Sequence, residues 1–402
     1  MFFQKKPHIN TDEQKIEQFL TRGVEAVFPN KAFIQSKMKK GESLTLYLGI
    51  DPTGPTLHIG HLVPIRKLSE FQKLGHQIIF LVGDFTATIG DPDKTSVRKP
   101  LTRDEVLSNL KEYKKQASRF IDFTGANKAL FRFNSEWLSK MNFKDVLDLA
   151  ALMTVDQMLK RDMFKKRIAE EKPIHIHEFM YPLMQGYDSV ALDVDGEVGG
   201  NDQTFNMLAG RDLLKQIKNK EKFVIAMKLL TDPTGKKMGK SEGNMVALNQ
   251  TPEDMFGKVM SWSDGMIVPA FEIVTDVSID TLQDIKHKLV GGENPKNLKI
   301  KLASEIVTLC FGEKESEQAR HAFEQTFSKG EVPEDIEEVS GGKAWIDVAI
   351  EQSLVESKGE FRRLIEGGAV SEMTTGEKIT DPNTVAVTGV YKIGKRRFIK
   401  II

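Results

Sequence analysis

Two short apolar runs, residues 46–50 (LYLGI) and 77–82 (QIIFLV), constrain the fold more than any other feature of the chain, because both suit buried parallel strands. Between them, Asp51-Pro52-Thr53-Gly54-Pro55 is a turn whose two prolines cannot extend a sheet. Leu62, Ile65, Leu68, Phe71 and Leu74 then recur near helical spacing, which predicts a helix beginning around residues 57–60 with one buried face. Pro64 is tolerated because it lies close to the helix start. Strand, turn, helix and strand in this order make a βαβ unit. That unit predicts an α/β, doubly wound parallel sheet whose ligands gather at the strand carboxyl ends.

The start of that helix carries the first chemistry. Unpaired backbone N–H groups and the helix dipole favour an anion there. His58 and His61, three apart, lie on one side of the first turn, and with Thr53 they suit phosphate charge. Gly60 between them keeps a side chain out of the way of an approaching nucleotide. A lone histidine is commonly structural, but a pair around Ile59-Gly60 after such a turn is much less often incidental. Far downstream, residues 232–235 (DPTG) form a turn followed by Lys236, Lys237, Lys240 and Ser241. A lysine run ordinarily faces water. Beside an anion site, it can instead stabilise the charge that builds on a departing pyrophosphate.

Between these two stretches the chain offers further candidates. Residues 83–92 form a loop at a strand end, where Asp91 fits either an ordinary turn or a ligand position. Lys94, Arg98 and Lys99 continue as a basic segment that either covers phosphates or faces water. Residues 102–119 read as one exposed helix and 142–166 as one or two more. On a helix over 178–188, Tyr181, Gln185 and Asp188 share one face with Met184 beside them, and buried polar groups of this kind need partners. A polar small molecule or an internal hydrogen-bond cluster would supply them. Residues 189–198 alternate like a strand, and Gly199-Gly200-Asn201-Asp202-Gln203 opens a helix over 204–217. Asp202 suits that helix's N-cap or, at a strand end, the hydroxyls of a ribose beside Gln203. Residues 11–40 read as a helical lead-in.

A chain of 402 residues with 40% apolar residues supports two or three domains. The single cysteine, Cys310, cannot form an internal disulfide and points to a reducing compartment. With zero net charge, any nucleic-acid contact must come from a local patch. No apolar run approaches the ~20 residues of a membrane span, and the first residues do not read as a signal peptide, so a cytoplasmic protein is expected. Residues 251–327 are helical in pattern, with Leu298, Leu302, Ile306 and Leu309 on one face. Five acids in residues 331–338, before Gly341-Gly342, mark a linker. The expected parts are 1–245, 246–328, a linker over 329–342 and a small module over 343–402. Residues 389–402 hold five basic and no acidic side chains, which suits phosphate contacts, as do Arg362 and Arg363.

The HIGH element of residues 58–61 and the KMGKS of residues 237–241 together resemble the class I aminoacyl-tRNA synthetases. Adding residues 47–61, residues 86–92, YPLMQGYD, VGGNDQ and the C-terminal segment, nearly the whole chain resembles the bacterial tyrosyl-tRNA synthetase family. That resemblance implies a Rossmann-like catalytic domain, an α-helical anticodon-side domain and a small α+β S4-like RNA-binding domain. It also implies activation of L-tyrosine with ATP, transfer to tRNA(Tyr), Mg2+ arriving with ATP, no metal held by the protein itself and a homodimer. Tyr47 and Asp188 would hold the phenolic hydroxyl, and Tyr181, Gln185 and Asp91 the α-amino group. Asp51 would lie at the tyrosine–adenylate junction, with Gly49, Gly60, Gly200, Asp202, Gln203 and Met238 around the nucleotide. Thr53, His58, His61, Lys237 and Lys240 would serve the phosphates, and Arg362, Arg363, Lys395, Arg396 and Arg397 the tRNA. Gly239 stands where the family commonly has serine, Asn201 where it has Ser or Thr, and Val370-Ser371-Glu372-Met373 where it shows a V-N-G turn. Two other readings are a stand-alone nucleotidyltransferase, whose pyrophosphate exchange would need no amino acid, and a non-catalytic RNA-binding homologue, which would show no exchange.

Overall fold

The computed structural model describes residues 8–91, 101–235, 237–238, 245–328, 336, 338–352, 354–355, 357–373, 375–394 and 397–402. The chain divides into two compact units, Met1–Gly312 and Glu313–Ile402.

The first unit is built on six strands: β1 (Val24–Phe28), β2 (Thr45–Ile50), β3 (Gln77–Val82), β4 (Leu130–Phe133), β5 (Gly196–Gly200) and β6 (Phe223–Met227). Their order across the sheet is β1-β6-β5-β2-β3-β4. All neighbours run parallel except β1, which closes one edge antiparallel to β6. From β2 the sheet grows through β3 and β4 on one side and through β5 and β6 on the other. The topological switch point therefore lies between β2 and β5, the place where such sheets bind ligands. Residues 78–82 of β3 and all of β6 are buried, as expected for parallel strands covered on both faces. The helix Ile59–Lys73 connects β2 to β3 and buries Leu62, Ile65, Leu68 and Phe71, as their spacing predicts.

Five segments depart from the sequence expectation, one of them 142–166, where three helices stand in place of one or two: Phe143–Ala150, Val155–Leu159 and Asp162–Ala169. The lead-in contains β1, because Val24, Ala26, Val27 and Phe28 complete a sheet edge against β6. The helix expected over 178–188 runs Ile176–Leu192, so residues 189–192 are helical. It stops where Asp193 adopts a left-handed conformation at φ 51°, and β5 begins only at Gly196. Packing against the helix Thr204–Lys218 decides this, since Ser189 and Val190 are buried. The single helix expected over 102–119 is two, Arg103–Leu110 and Tyr113–Ala117. The loop after β3 holds a short helix, Thr86–Ile89.

The helices Pro252–Met260, Ile267–Val274, Ile279–Val290 and Pro295–Phe311 complete the first unit. Leu298, Leu302 and Ile306 are buried as expected, while Leu309 is only partly so. Arg22, which ends the helix Glu13–Thr21, and Arg66, on the helix Ile59–Lys73, cap the carboxyl end of the helix Ile267–Val274. Arg22 donates to the carbonyls of Glu272 at 3.0 Å and Thr275 at 2.8 Å, and Arg66 to those of Ile273 at 3.0 Å and Thr275 at 2.8 Å.

The second unit holds the helices Glu313–Ser328, Trp345–Glu351 and Lys358–Glu366 and strands β7 (Glu338–Val339), β8 (Val370–Glu372), β9 (Gly389–Ile393) and β10 (Arg397–Ile401). The strand order is β7-β10-β9-β8. Trp345, Phe361, Tyr391, Ile393, Ile399 and Ile401 form its core. Among the described residues, no helix is long and apolar enough to cross a membrane.

Candidate active site

A cavity of about 300 Å³ opens at the carboxyl ends of β2, β3, β5 and β6, over the switch point. It is lined by Gly49, Asp51, Thr53, His58, Gly60, His61, Asp91, Tyr181, Gln185, Asp188, Gly200, Asp202, Gln203, Lys237 and Met238. Of the described residues predicted for the site, one does not line it. Tyr47 lies beneath the floor, fully buried, its ring 3.9 Å from where a Cβ on Gly49 would stand. Lys240 lies outside the described residues.

At one end the first turn of the helix Ile59–Lys73 is built around its two imidazoles. His58 is the N-cap: its Nδ1 accepts from the Gly60 amide at 3.1 Å, and its own amide donates to His61 Nδ1 at 3.2 Å. Each ring therefore carries its proton on Nε2, a donor suited to an anion. The rings lie 3.8 Å apart, and burial followed by the neighbouring His58 holds His61 well below the usual histidine range. A Cβ on residue 60 would come within 2.9 Å of the His58 ring, so the imidazole itself demands Gly60. The preceding turn is clamped from outside. Tyr113 Oη donates to the Gly54 carbonyl at 2.8 Å, Asn109 to that of Pro52 at 2.9 Å, and the Leu57 amide donates to Gln116 at 2.8 Å.

The second stretch comes to the same place. Thr231 bridges Lys237, and the Met238 amide donates to Leu230 at 2.9 Å. On the far side of the segment, the Ile59 amide donates to Val246 at 3.0 Å and the Leu248 amide to Leu57 at 2.9 Å. Both flanks of the KMGKS segment are thus fixed beside the histidine pair. Lys237 Nζ meets Asp202 Oδ2 at 2.8 Å, an ion pair with side chains 42% and 30% exposed.

At the other end a continuous chain of hydrogen bonds runs through the cavity wall. Tyr181 Oη donates to Asp51 Oδ2 at 2.8 Å and Thr86 Oγ1 to Asp51 Oδ1 at 2.7 Å. Asn134 Nδ2 donates to Thr86 Oγ1 at 3.0 Å and to Asp188 Oδ2 at 3.4 Å, while Trp137 Nε1 donates to Asp188 Oδ1 at 2.8 Å. Burial pushes the Asp188 carboxyl well up, against the pull of Trp137 and Asn134. A Cβ on Gly83 would stand 1.9 Å from Asp51 Oδ1, so only glycine lets β3 end so close to this chain. Asp91 accepts from Gln203 at 2.9 Å and from Arg161 at 3.2 Å. Among the described residues, no group of three His, Cys, Asp or Glu side chains is placed to hold a metal ion.

Sequence reading missed several of these groups. Thr86, Asn134, Trp137 and Arg161 carry no local signature, since each acts through a partner more than 30 residues away. Glu197 and Lys222 did leave a trace, as charged residues inside or beside strands otherwise apolar or glycine-rich. Of the basic residues expected to meet RNA, Arg362 and Arg363 are exposed on the helix Lys358–Glu366. Arg397 pairs instead with Glu360 at 2.9 Å and with the Leu354 carbonyl, while Lys395 and Arg396 lie outside the described residues. The described part of the basic run thus spends one guanidinium inside its own unit.

Residues 39–328 match the family of tRNA synthetases class I (W and Y). A tyrosine–tRNA ligase 2 of Vibrio vulnificus is 41% identical over 388 residues, which are 95% of this chain and 97% of that one. A tyrosine–tRNA ligase of Oleidesulfovibrio alaskensis is 42% identical over 97% of this chain and 99% of its own. A truncated mitochondrial tyrosyl-tRNA synthetase from Coccidioides posadasii superposes with a TM-score of 0.62 at 26% identity, over 77% of this chain and 90% of that one. The archaeal tyrosyl-tRNA synthetase of Archaeoglobus fulgidus, solved with L-tyrosine, shares the fold at a TM-score of 0.60 and 20% identity, over 77% of this chain and all of that one. The chain belongs to the bacterial tyrosyl-tRNA synthetase family, within the class I tRNA synthetases of tryptophan and tyrosine.

Proposed function

We propose that this protein activates L-tyrosine with ATP and then transfers it to the 3′ end of tRNA(Tyr). The observation that carries the reading is one cavity with a buried, twice-bonded carboxylate, Asp188, at one end and a helix N-terminus with two imidazole donors at the other. In the first step the tyrosine carboxylate attacks the α-phosphorus of ATP, forming the tyrosyl-phosphate bond as pyrophosphate leaves. In the second a hydroxyl of the terminal ribose of the tRNA attacks the tyrosyl carbonyl, and AMP departs.

No side chain need form a covalent bond, so the chain contributes orientation and charge stabilisation. Asp188 accepts the phenolic O–H, with Tyr47 beneath it, while Tyr181, Gln185 and Asp91 receive the α-amino group. Asp51 sits at the junction of tyrosine and adenylate, and Asp202 and Gln203 meet the ribose. His58, His61 and Thr53 face the phosphates. Lys237 leaves Asp202 to follow the departing pyrophosphate, an exchange made cheap by the exposure of that pair. Mg2+ arriving with ATP would be held by the phosphate oxygens and would neutralise phosphate charge.

Residues 343–402 act as an S4-like RNA-binding module, on which Arg362 and Arg363 are exposed, and residues 246–328 serve the anticodon side. Two copies associate through an apolar face that includes Phe143 and Leu147, one turn apart and 77% and 53% exposed. Cytoplasmic location follows from this work in translation. Charging of tRNA(Tyr) transcript with labelled tyrosine tests the whole reading: tyrosyl-tRNA formed only with ATP and tyrosine supports it, and uncharged tRNA beside active adenylation would remove the transfer step.

A further inference from the structure

Directly under the tyrosine end lies a polar cluster that neither the motifs nor the mechanism above uses. Lys222 and Glu197 are 0% and 2% exposed and meet at 2.5 Å. Lys222 Nζ also reaches Ser189 Oγ at 2.8 Å, and Ser189 Oγ lies 2.9 Å from Tyr47 Oη. Gln185, on the cavity wall, donates to the other oxygen of Glu197 at 3.3 Å. The register places Tyr47 of β2 opposite Glu197 of β5.

Space for the cluster is built into the fold. A Cβ on Gly210 would stand 2.7 Å from Ser189 Oγ and 2.8 Å from Lys222 Nζ, so the helix Thr204–Lys218 must carry glycine there.

Counting protons gives the cluster a direction. An ammonium donates and cannot accept, so Ser189 Oγ accepts from Lys222. Its remaining lone pair and its single proton both face Tyr47 Oη, so either hydroxyl can donate in that bond. Burial, with the neighbouring Glu197 carboxylate, pushes the Tyr47 hydroxyl well up and keeps its proton in place. A buried ion pair surrounded by apolar strands adds little net stability, so its retention calls for another use.

We propose that Ser189, Glu197 and Lys222 are positioning residues for recognition of the phenolic hydroxyl, fixing the Tyr47 side chain and its proton beneath the cavity floor. The inference rests on the tyrosine reading above. Lys222 orients Ser189, Ser189 orients Tyr47, and Glu197 links the same base to Gln185. None of the three touches substrate, so their loss should weaken tyrosine selection and leave the phosphate chemistry alone.

The test is ATP–pyrophosphate exchange by wild type, Ser189→Ala and the double variant Glu197→Gln/Lys222→Met, each with tyrosine and with phenylalanine. In Ser189→Ala the KM for tyrosine should rise on the order of 10-fold, with kcat within about 2-fold. Its kcat/KM for phenylalanine, which lacks the hydroxyl, should hold, so discrimination falls by the same factor. The double variant, which removes the pair without leaving a lone buried charge, should shift in the same direction. An unchanged tyrosine KM in Ser189→Ala overturns the proposal, and so do equal losses for both amino acids, the mark of a merely structural role. Wild-type protein inactive with tyrosine would overturn the proposed function itself, an outcome separate from failure of the variants.

Discussion

The two ends of the cavity are made by opposite means. At the tyrosine end Asp188, Ser189, Glu197, Lys222 and Tyr47 are buried, and each polar group is bonded to another fixed one. At the phosphate end the groups sit on a turn, the first turn of a helix and a partly exposed ion pair. Under the proposed function the first end recognises a neutral ring with one hydroxyl, so its specificity needs polar groups that lose their partner when the wrong ligand binds. The second would then handle a polyanion whose charge shifts during reaction, so it needs donors that can follow that charge. Selection and rate are therefore expected to separate along the cavity.

The largest effect should come from breaking the base of the tyrosine end. Lys222→Met leaves Glu197 buried without its cation and should cost about 3–5 kcal/mol of unfolding free energy, measured by urea denaturation. The double variant with Glu197→Gln should recover most of it, and a single variant as stable as wild type would show the pair to be energetically idle. Next, Asp188→Asn should lower kcat/KM for tyrosine about 10²- to 10³-fold while the ATP KM moves little, since Trp137 and Asn134 then face an amide and the phenol loses a charged acceptor. At the phosphate end His58→Ala should reverse that pattern, with kcat down about 10²-fold and both KM values within about 3-fold. If it raised the ATP KM at unchanged kcat, the histidine would serve ground-state binding and the contrast between the ends would collapse.

The smallest effect concerns pH. Burial and His58 hold His61 well below 6.5, so the unfolded chain takes up a proton that the folded chain refuses. Stability from this group is complete above about pH 6.5 and is lost as pH falls below it toward the folded value. Urea midpoints measured from pH 7 to 5 should therefore decline less steeply in His61→Asn than in wild type.

How much of this could be read from sequence follows the same division. The phosphate end was legible because its chemistry is local: a strand, a proline turn and the histidine pair lie within residues 46–61. The tyrosine end was half legible. The shared face of Tyr181, Gln185 and Asp188 follows from helical spacing, and all three line the cavity. What holds them does not, since Lys222 meets Ser189 across 33 residues and Trp137 meets Asp188 across 51. The alternation of residues 189–198 misled for a related reason. Short apolar runs fit helix and strand alike, and burial against the helix Thr204–Lys218 settled residues 189–192 as helix. Tyr47, expected at the phenolic hydroxyl, is fully buried and does not line the cavity.

The measurement that bears most directly on the account is ATP–pyrophosphate exchange by the purified protein with tyrosine, tryptophan and phenylalanine in parallel. Exchange should depend on tyrosine and be far weaker with the other two. Exchange driven by tryptophan, or exchange that needs no amino acid, would contradict it.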